Sequence, residues 1–214
     1  MSGKSLKNWE KGGKEGIFKK IEGRIHHGPP LKERISQAIY RLKTQQDRLS
    51  QAVTRMEGHD RELFEKCVAA QLSKDPARAA LYANECAEVR KMAKLILHSQ
   101  LAIEQVAMRL ETIEQFGDFA SMMTPISGVV HTLRGQLSGV MPEVSYELGS
   151  INDMLGGIVV DAGETSTMTT SLTSPSDEAQ RILAEANAIA DQKMKERFPE
   201  LPSAIATPER AYER

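Results

Sequence analysis

Aromatic side chains supply only 5% of the 214 residues, with a single Trp, although 40% of the chain is hydrophobic. A compact core draws on aromatics for bulk, so this balance argues against a globular domain and for helices packed through Ala, Leu, Ile and Met. Cysteine is nearly absent: Cys67 and Cys86 are the only two. Both fall on apolar helical faces, about one helical turn out of register with each other, which predicts buried thiols in a reducing cytoplasm and no disulfide. No apolar run approaches the ~18 residues of a membrane span, and Met1 to Gly16 lacks a signal-peptide core. A soluble, intracellular protein is expected.

The groups that catalysis requires are also missing. His26 and His27 sit in a glycine-proline stretch, and His59, His98 and His131 are scattered over different helices. No two histidines have the spacing that sets both imidazoles on one helical face, and there is no Cys-x2-Cys pair, so no metal site is expected. Gly3-Lys4-Ser5 imitates the end of a phosphate-binding loop, but the upstream strand and glycine that such a loop needs have no room before it. Acidic residues are plentiful, yet on long helices they read as solvated faces. The chain is expected to be no enzyme, with no cofactor and no catalytic residue.

What the sequence does contain is helical periodicity. Ile35, Ile39, Leu42, Leu49, Val53, Met56, Leu63, Cys67 and Ala70 recur at steps of three and four or their sums, as on one face of a helix. Tyr82, Cys86, Val89, Ala93, Ile96, Ile103, Val106, Leu110, Ile113 and Ala120 do the same nearer a seven-residue period, which calls for a partner helix along the whole length. Between them stands Ser73-Lys74-Asp75-Pro76. Asp75 is a good N-cap and Pro76 suits the first helical position, so two antiparallel helices joined by a short turn are predicted. At ~1.5 Å per residue each would be roughly 65 to 70 Å long. The fold class is therefore all-α, organised on a long antiparallel helical hairpin over residues 31 to 123.

The net charge of −1 hides a gradient: +7 over residues 1 to 74, −2 over 75 to 123 and −6 over 124 to 214. Residues 1 to 30 form a basic arm, with Lys4, Lys7, Trp9, Lys11, Phe18, Lys19, Lys20 and Arg24 as the candidate membrane-binding residues. Ile17, Phe18, Ile21 and Ile25 fall on one side of a short interfacial helix, while Gly12, Gly13, Gly16 and Gly23 argue against stable helix in solution. A disordered arm and a segment that orders on an anionic membrane are both compatible with this pattern. A second basic surface is the first long helix, through Arg41, Lys43, Arg48 and Arg55.

Thr124-Pro125 is expected to end the second long helix. Ile126, Val129, Val130, Leu133, Leu137 and Val140 then mark a short helix, and Pro142 starts another faced by Leu148, Ile151, Met154, Leu155 and Ile158. Both are too short to stand alone. Residues 161 to 174 are rich in Ser and Thr and read as a flexible linker after a core of residues 31 to 160. Residues 175 to 214 form the last unit, a regulatory helix and a proline-bearing tail. Ser174, Pro175 and Asp177 give a capping signal. An amphipathic helix follows, with Ala179, Ile182, Leu183, Ala186, Ile189, Ala190 and Met194 on one face, ending before Pro199. In Phe198-Pro199-Glu200-Leu201-Pro202 the prolines favour an extended segment with Phe198 and Leu201 available to a groove. The acidic last unit is expected to fold back over the basic first helix near the hairpin's open end, as a latch.

This order of basic arm, hinged hairpin, two short helices, linker and late acidic segment resembles the ESCRT-III superfamily, and most closely the archaeal CdvB family of cell division proteins. The local matches are Ala179-Gln180-Arg181-Ile182-Leu183-Ala184-Glu185-Ala186, continuing through Lys195 to Pro202, and Gly149-Ser150-Ile151-Asn152-Asp153-Met154-Leu155. The resemblance implies a cytoplasmic protein, peripheral to the membrane at the division site. It would polymerise with itself and related subunits on anionic membranes and help to constrict and cut them. It also implies a partner AAA ATPase whose MIT domain binds Phe198, Pro199, Leu201 and Pro202. About a dozen residues follow Pro202, which matches the shorter paralogues without a winged-helix tail, and the proline motif abuts a helix instead of hanging in a linker. Two other classes compete. A coiled-coil scaffold bridging proteins would have no use for the Trp-containing basic arm, and nucleic-acid binding by that arm would lack interleaved aromatics for stacking.

Overall fold

A computed structural model of the chain describes residues 30–116, 120–161 and 176–199. All five elements among the described residues are helices: α1 (Leu31–Leu72), α2 (Pro76–Phe116), α3 (Ala120–Leu137), α4 (Pro142–Asp161) and α5 (Asp177–Arg197). The hairpin of α1 and α2 is the predicted one, with helices of 42 and 41 residues. Its register is antiparallel, since Ser36 meets Glu114 near the open end, Asp60 meets Arg90 midway, and Cys67 meets Ala79 near the turn.

The turn is built from two caps sharing one residue. Lys74 N–H bonds Gln71 O and Asp75 N–H bonds Ala70 O, both at 2.9 Å, which is the Schellman closure of α1. That closure puts its penultimate residue in the left-handed region, and Lys74 has φ 56°. Asp75 then accepts from Arg78 N–H at 3.1 Å, capping α2 as predicted, with Pro76 as its first residue.

Thr124-Pro125 does not end a helix. The described part of α2 stops at Phe116, and Pro125 lies inside α3, in its second turn. Proline there removes one backbone hydrogen bond. Met123 and Ile126 on either side are both buried, so burial of the α3 face outweighs that loss. Ala120, assigned above to the second long helix, belongs to α3 as well. Pro142 opens α4 as expected, after a turn in which Met141 N–H reaches Leu137 O at 2.7 Å and Ser145 Oγ donates to Arg134 O at 2.8 Å.

Burial is uneven along the rod. One continuous core takes side chains from all five helices, from Ile35 and Leu42 through Ile96, Leu110, Leu133, Leu155 and Ile182. Toward the turn only a small second cluster remains, Leu63, Cys86 and Val89. The hairpin is thus thickened at its open half by α3, α4 and α5 and is two helices thick at its closed end. Two glycines of α4 allow arginines to lie on its backbone: a methyl group at Gly157 would fall 2.6 Å from Arg34 Nη2, and one at Gly149 would fall 3.2 Å from the Arg134 guanidinium. Of the expected linker of residues 161 to 174, Asp161 is instead the last residue of α4, and the rest lies outside the described residues.

Candidate interaction site

The seam between α5 and the hairpin is the part of the chain where the expected functional residues can be placed. α5 begins at Ser176, whose side chain accepts from Ala179 N–H at 3.3 Å, so Ser176 and not Ser174 is the cap. Asp177 and Glu178 fill its first turn and Lys195 and Arg197 its last, matching the sign of the helix dipole at each end. Ala179, Ile182, Ala186 and Ala190 are buried, one every three or four residues, and small enough for close approach. Ile189, placed above on the same face, stands 40% exposed at its edge.

Ion pairs fix the direction of α5. Glu178 pairs with Arg109 at 2.7 Å, Asp191 with Lys94 at 2.5 Å, and Arg197 with Glu57 at 2.8 Å. The helix therefore runs antiparallel to α2, from near the open end toward the middle. This corrects the expectation that its acidic groups cover the basic first helix. Two of its carboxylates, Glu178 and Asp191, are matched by cations of α2, and the α1 residue that it pairs with, Glu57, is itself acidic. The charge gradient along the chain is real, but charges pair by local register and not by the mean sign of a segment.

Between these pairs lies a polar contact without formal charge. His98 Nε2 is 3.1 Å from the backbone oxygen of Leu183, and the ring is only 8% exposed. Burial holds the imidazole below its usual pKa. The hydrogen bond to Leu183 and Asp191 act in the opposite sense, and Lys94 reinforces the lowering.

At the far end Arg90 donates to both oxygens of Asp60, at 2.6 and 2.9 Å, with Asp60 2% exposed. The Phe198 ring sits 5.8 Å from the same guanidinium and is 6% exposed. Phe198 is thus not free for a partner's groove. It is the stop of α5, with its N–H on Met194 O, pressed over an arginine whose charge is already neutralised. Pro199 is exposed, and Leu201 and Pro202 lie outside the described residues. Lys4, Lys7, Trp9, Lys11, Phe18, Lys19, Lys20 and Arg24 lie outside them too.

On α1, the second basic surface is partly spent inside the chain. Arg41 is held by Glu147 at 2.8 Å and Ser150 at 3.0 Å, and Lys43 by Glu111 at 2.6 Å. Arg48 and Arg55 are exposed. Cys67 and Cys86 are free and buried, as expected. Cys67 Sγ lies against Ala79 O and Cys86 Sγ against Asp60 O, so the two thiols are offset by seven residues, two turns instead of the one expected. Among the described residues no cluster of His, Cys, Asp and Glu is arranged to hold a metal, and no helix is long and apolar enough to cross a membrane.

Asp60 and Arg90 were not among the residues singled out by sequence. The signal was present as a gap: Asp60 interrupts the apolar repeat between Met56 and Leu63, and a charge at such a position needs a partner across the seam.

No family model matches the chain, and no solved structure matches it. Among curated proteins it is similar to Cell division protein B1 of Sulfolobus acidocaldarius, with 47% identity over 178 residues that cover 83% of each chain. It is also similar to Cell division protein B of the same organism, with 36% identity over 172 residues, 80% of this chain and 66% of that one. An identity of 47% over most of both chains, carried on an all-helical hairpin, places this protein in the CdvB family of ESCRT-III-like cell division proteins.

Proposed function

We propose that the chain is a subunit of a polymer that assembles on anionic membrane and serves membrane constriction and scission in cell division. The observation that carries this reading is the similarity to Cell division protein B1 over 83% of both chains. The rod itself supports it, since a hairpin of two helices of over 40 residues presents long faces to neighbouring copies and little concave surface to a substrate. Contact with lipid is assigned to the basic arm, where six Lys and Arg24 each contribute about 1 kcal/mol close to an anionic leaflet. Related subunits of the same family join the polymer.

In this reading residues 31 to 160 form the assembling core and residues 175 to 214 regulate it. With α5 docked on α2, the chain is a closed monomer, and releasing α5 bares the face of α2 around Lys94, His98 and Arg109 to other copies. Remodelling by an AAA ATPase with an MIT domain would act through Phe198, Pro199, Leu201 and Pro202. Because Phe198 is covered by Arg90, docking of that domain and release of α5 would be coupled. Leu201→Ala should weaken MIT binding and leave polymerisation unaltered.

The test is sedimentation with anionic liposomes at low salt. Deleting Met1 to Arg24 should abolish pelleting while helicity stays nearly intact. Equal pelleting of the truncated chain would assign the membrane contact elsewhere, to Arg48 and Arg55 on α1.

A further inference from the structure

We propose that α5 is held on the rod by a proton-sensitive contact: protonation of His98 loosens the last helix from α2, so that mild acid opens the closed monomer. The ion pairs that link α5 to the hairpin among the described residues lie at its rim, with side chains between about a quarter and nearly half exposed. His98 lies between them, 92% buried, with Nε2 at 3.1 Å from Leu183 O in the middle of α5. A backbone oxygen can only accept, so the neutral ring carries its proton on Nε2 and donates.

Protonation adds a second N–H and a full charge to a ring that is buried beneath α5. The charged groups acting on it are Lys94, one turn earlier on α2, and Asp191 on α5. Lys94 opposes the new charge. Asp191 favours it, but that carboxylate is already engaged by Lys94 at 2.5 Å. Among the described residues, no charged group of α1 or α3 adds to these two. Burial is the largest influence, and it disfavours the imidazolium.

The consequence follows by linkage. With α5 docked the ring titrates below 6.5, and with α5 lifted water reaches it and its ordinary value returns. Docking is therefore fully supported above pH 6.5. As the pH falls through the docked value, the support is lost. Each unit between the two values multiplies the ratio of lifted to docked α5 about tenfold. Loss of this bond also reaches Phe198, because α5 is one continuous helix from Asp177 to Arg197.

This switch rests on reading α5 as a latch, yet the two fail separately. Release of α5 with acid that leaves assembly unchanged would refute the latch and spare the switch. The experiment is methyl NMR of the full chain labelled at Ile and Leu, followed from pH 7.5 to 5.0, alongside His98→Gln. Gln keeps a donor near Leu183 O and does not titrate. Docked signals of Ile182 and Leu183 should give way to free ones as pH falls in the native chain, with the ratio changing by about tenfold per unit of displacement, and should stay constant in H98Q. The same pH response in H98Q would overturn the proposal, placing the effect on carboxylates such as Asp191. If H98Q does not fold, the His98 ring carbons of the native chain decide the matter. A pKa below 6.5 that moves with the Ile182 transition supports the switch, and a value at or above 6.5 overturns it.

Discussion

Arg90 grips Asp60 through two parallel hydrogen bonds, of 2.6 and 2.9 Å, at the point where α1, α2 and the end of α5 meet. Two charges buried at 16% and 2% side-chain exposure are tolerable only as a pair. Asp60→Ala leaves the guanidinium buried and unpaired beneath Phe198, and should destabilise the chain by about 3 to 5 kcal/mol. Replacing both residues by Leu and Met should cost much less. Urea denaturation of the single and double variants checks this, and equal losses would mean that the pair is not the cause.

Ile96 is fully buried between the long helices. Ile96→Asp places an unpaired carboxylate in the main core, at a cost of several kcal/mol. Thermal melting should fall sharply or lose cooperativity. An unchanged melt would contradict the hairpin seam.

Lys74 occupies the left-handed position of the Schellman closure with φ 56°. A side chain there is strained by about 1 kcal/mol relative to glycine. Lys74→Gly should be neutral or stabilising despite the added backbone entropy of glycine, and Lys74→Val should lower the melting temperature. If Val is tolerated as well as Gly, the turn has another geometry.

Cys86 gives a prediction at alkaline pH. Burial, with the Asp60 carboxylate adding to it, pushes the thiol up from 9.0 to about 11. The fold favours the neutral thiol, so its contribution is fully present below pH 9 and is lost as pH rises through about 11. The melting temperature should fall more steeply between those values in the native chain than in Cys86→Ala. Parallel curves would show that the thiol stays protonated by other means or does not matter.

Much of this architecture was readable because the hairpin is local. Its two apolar repeats and the Asp75-Pro76 punctuation lie within the helices they define, so both bounds of the turn follow from residues beside it. The ends of α2 and α3 were not readable in the same way. Pro125 is a helix breaker by itself, and only the burial of Met123 and Ile126 against other helices keeps it within α3. Placement of α5 failed for a related reason. Segment charge suggested α1 as its bed, whereas the matching of Glu178 to Arg109 and Asp191 to Lys94 is a register property that no average contains. Phe198 read as a free motif residue because nothing near it in sequence reveals Arg90, more than a hundred positions earlier.

The central claim, assembly on anionic membrane, is tested most directly by negative-stain microscopy of the purified full chain with and without anionic liposomes. Filaments or rings coating the vesicles are the predicted result, with a lower protein concentration sufficing once Ser174 to Arg214 is removed. Bare vesicles and dispersed particles at every concentration, for both chains, would contradict it and leave the hairpin as a scaffold that bridges proteins.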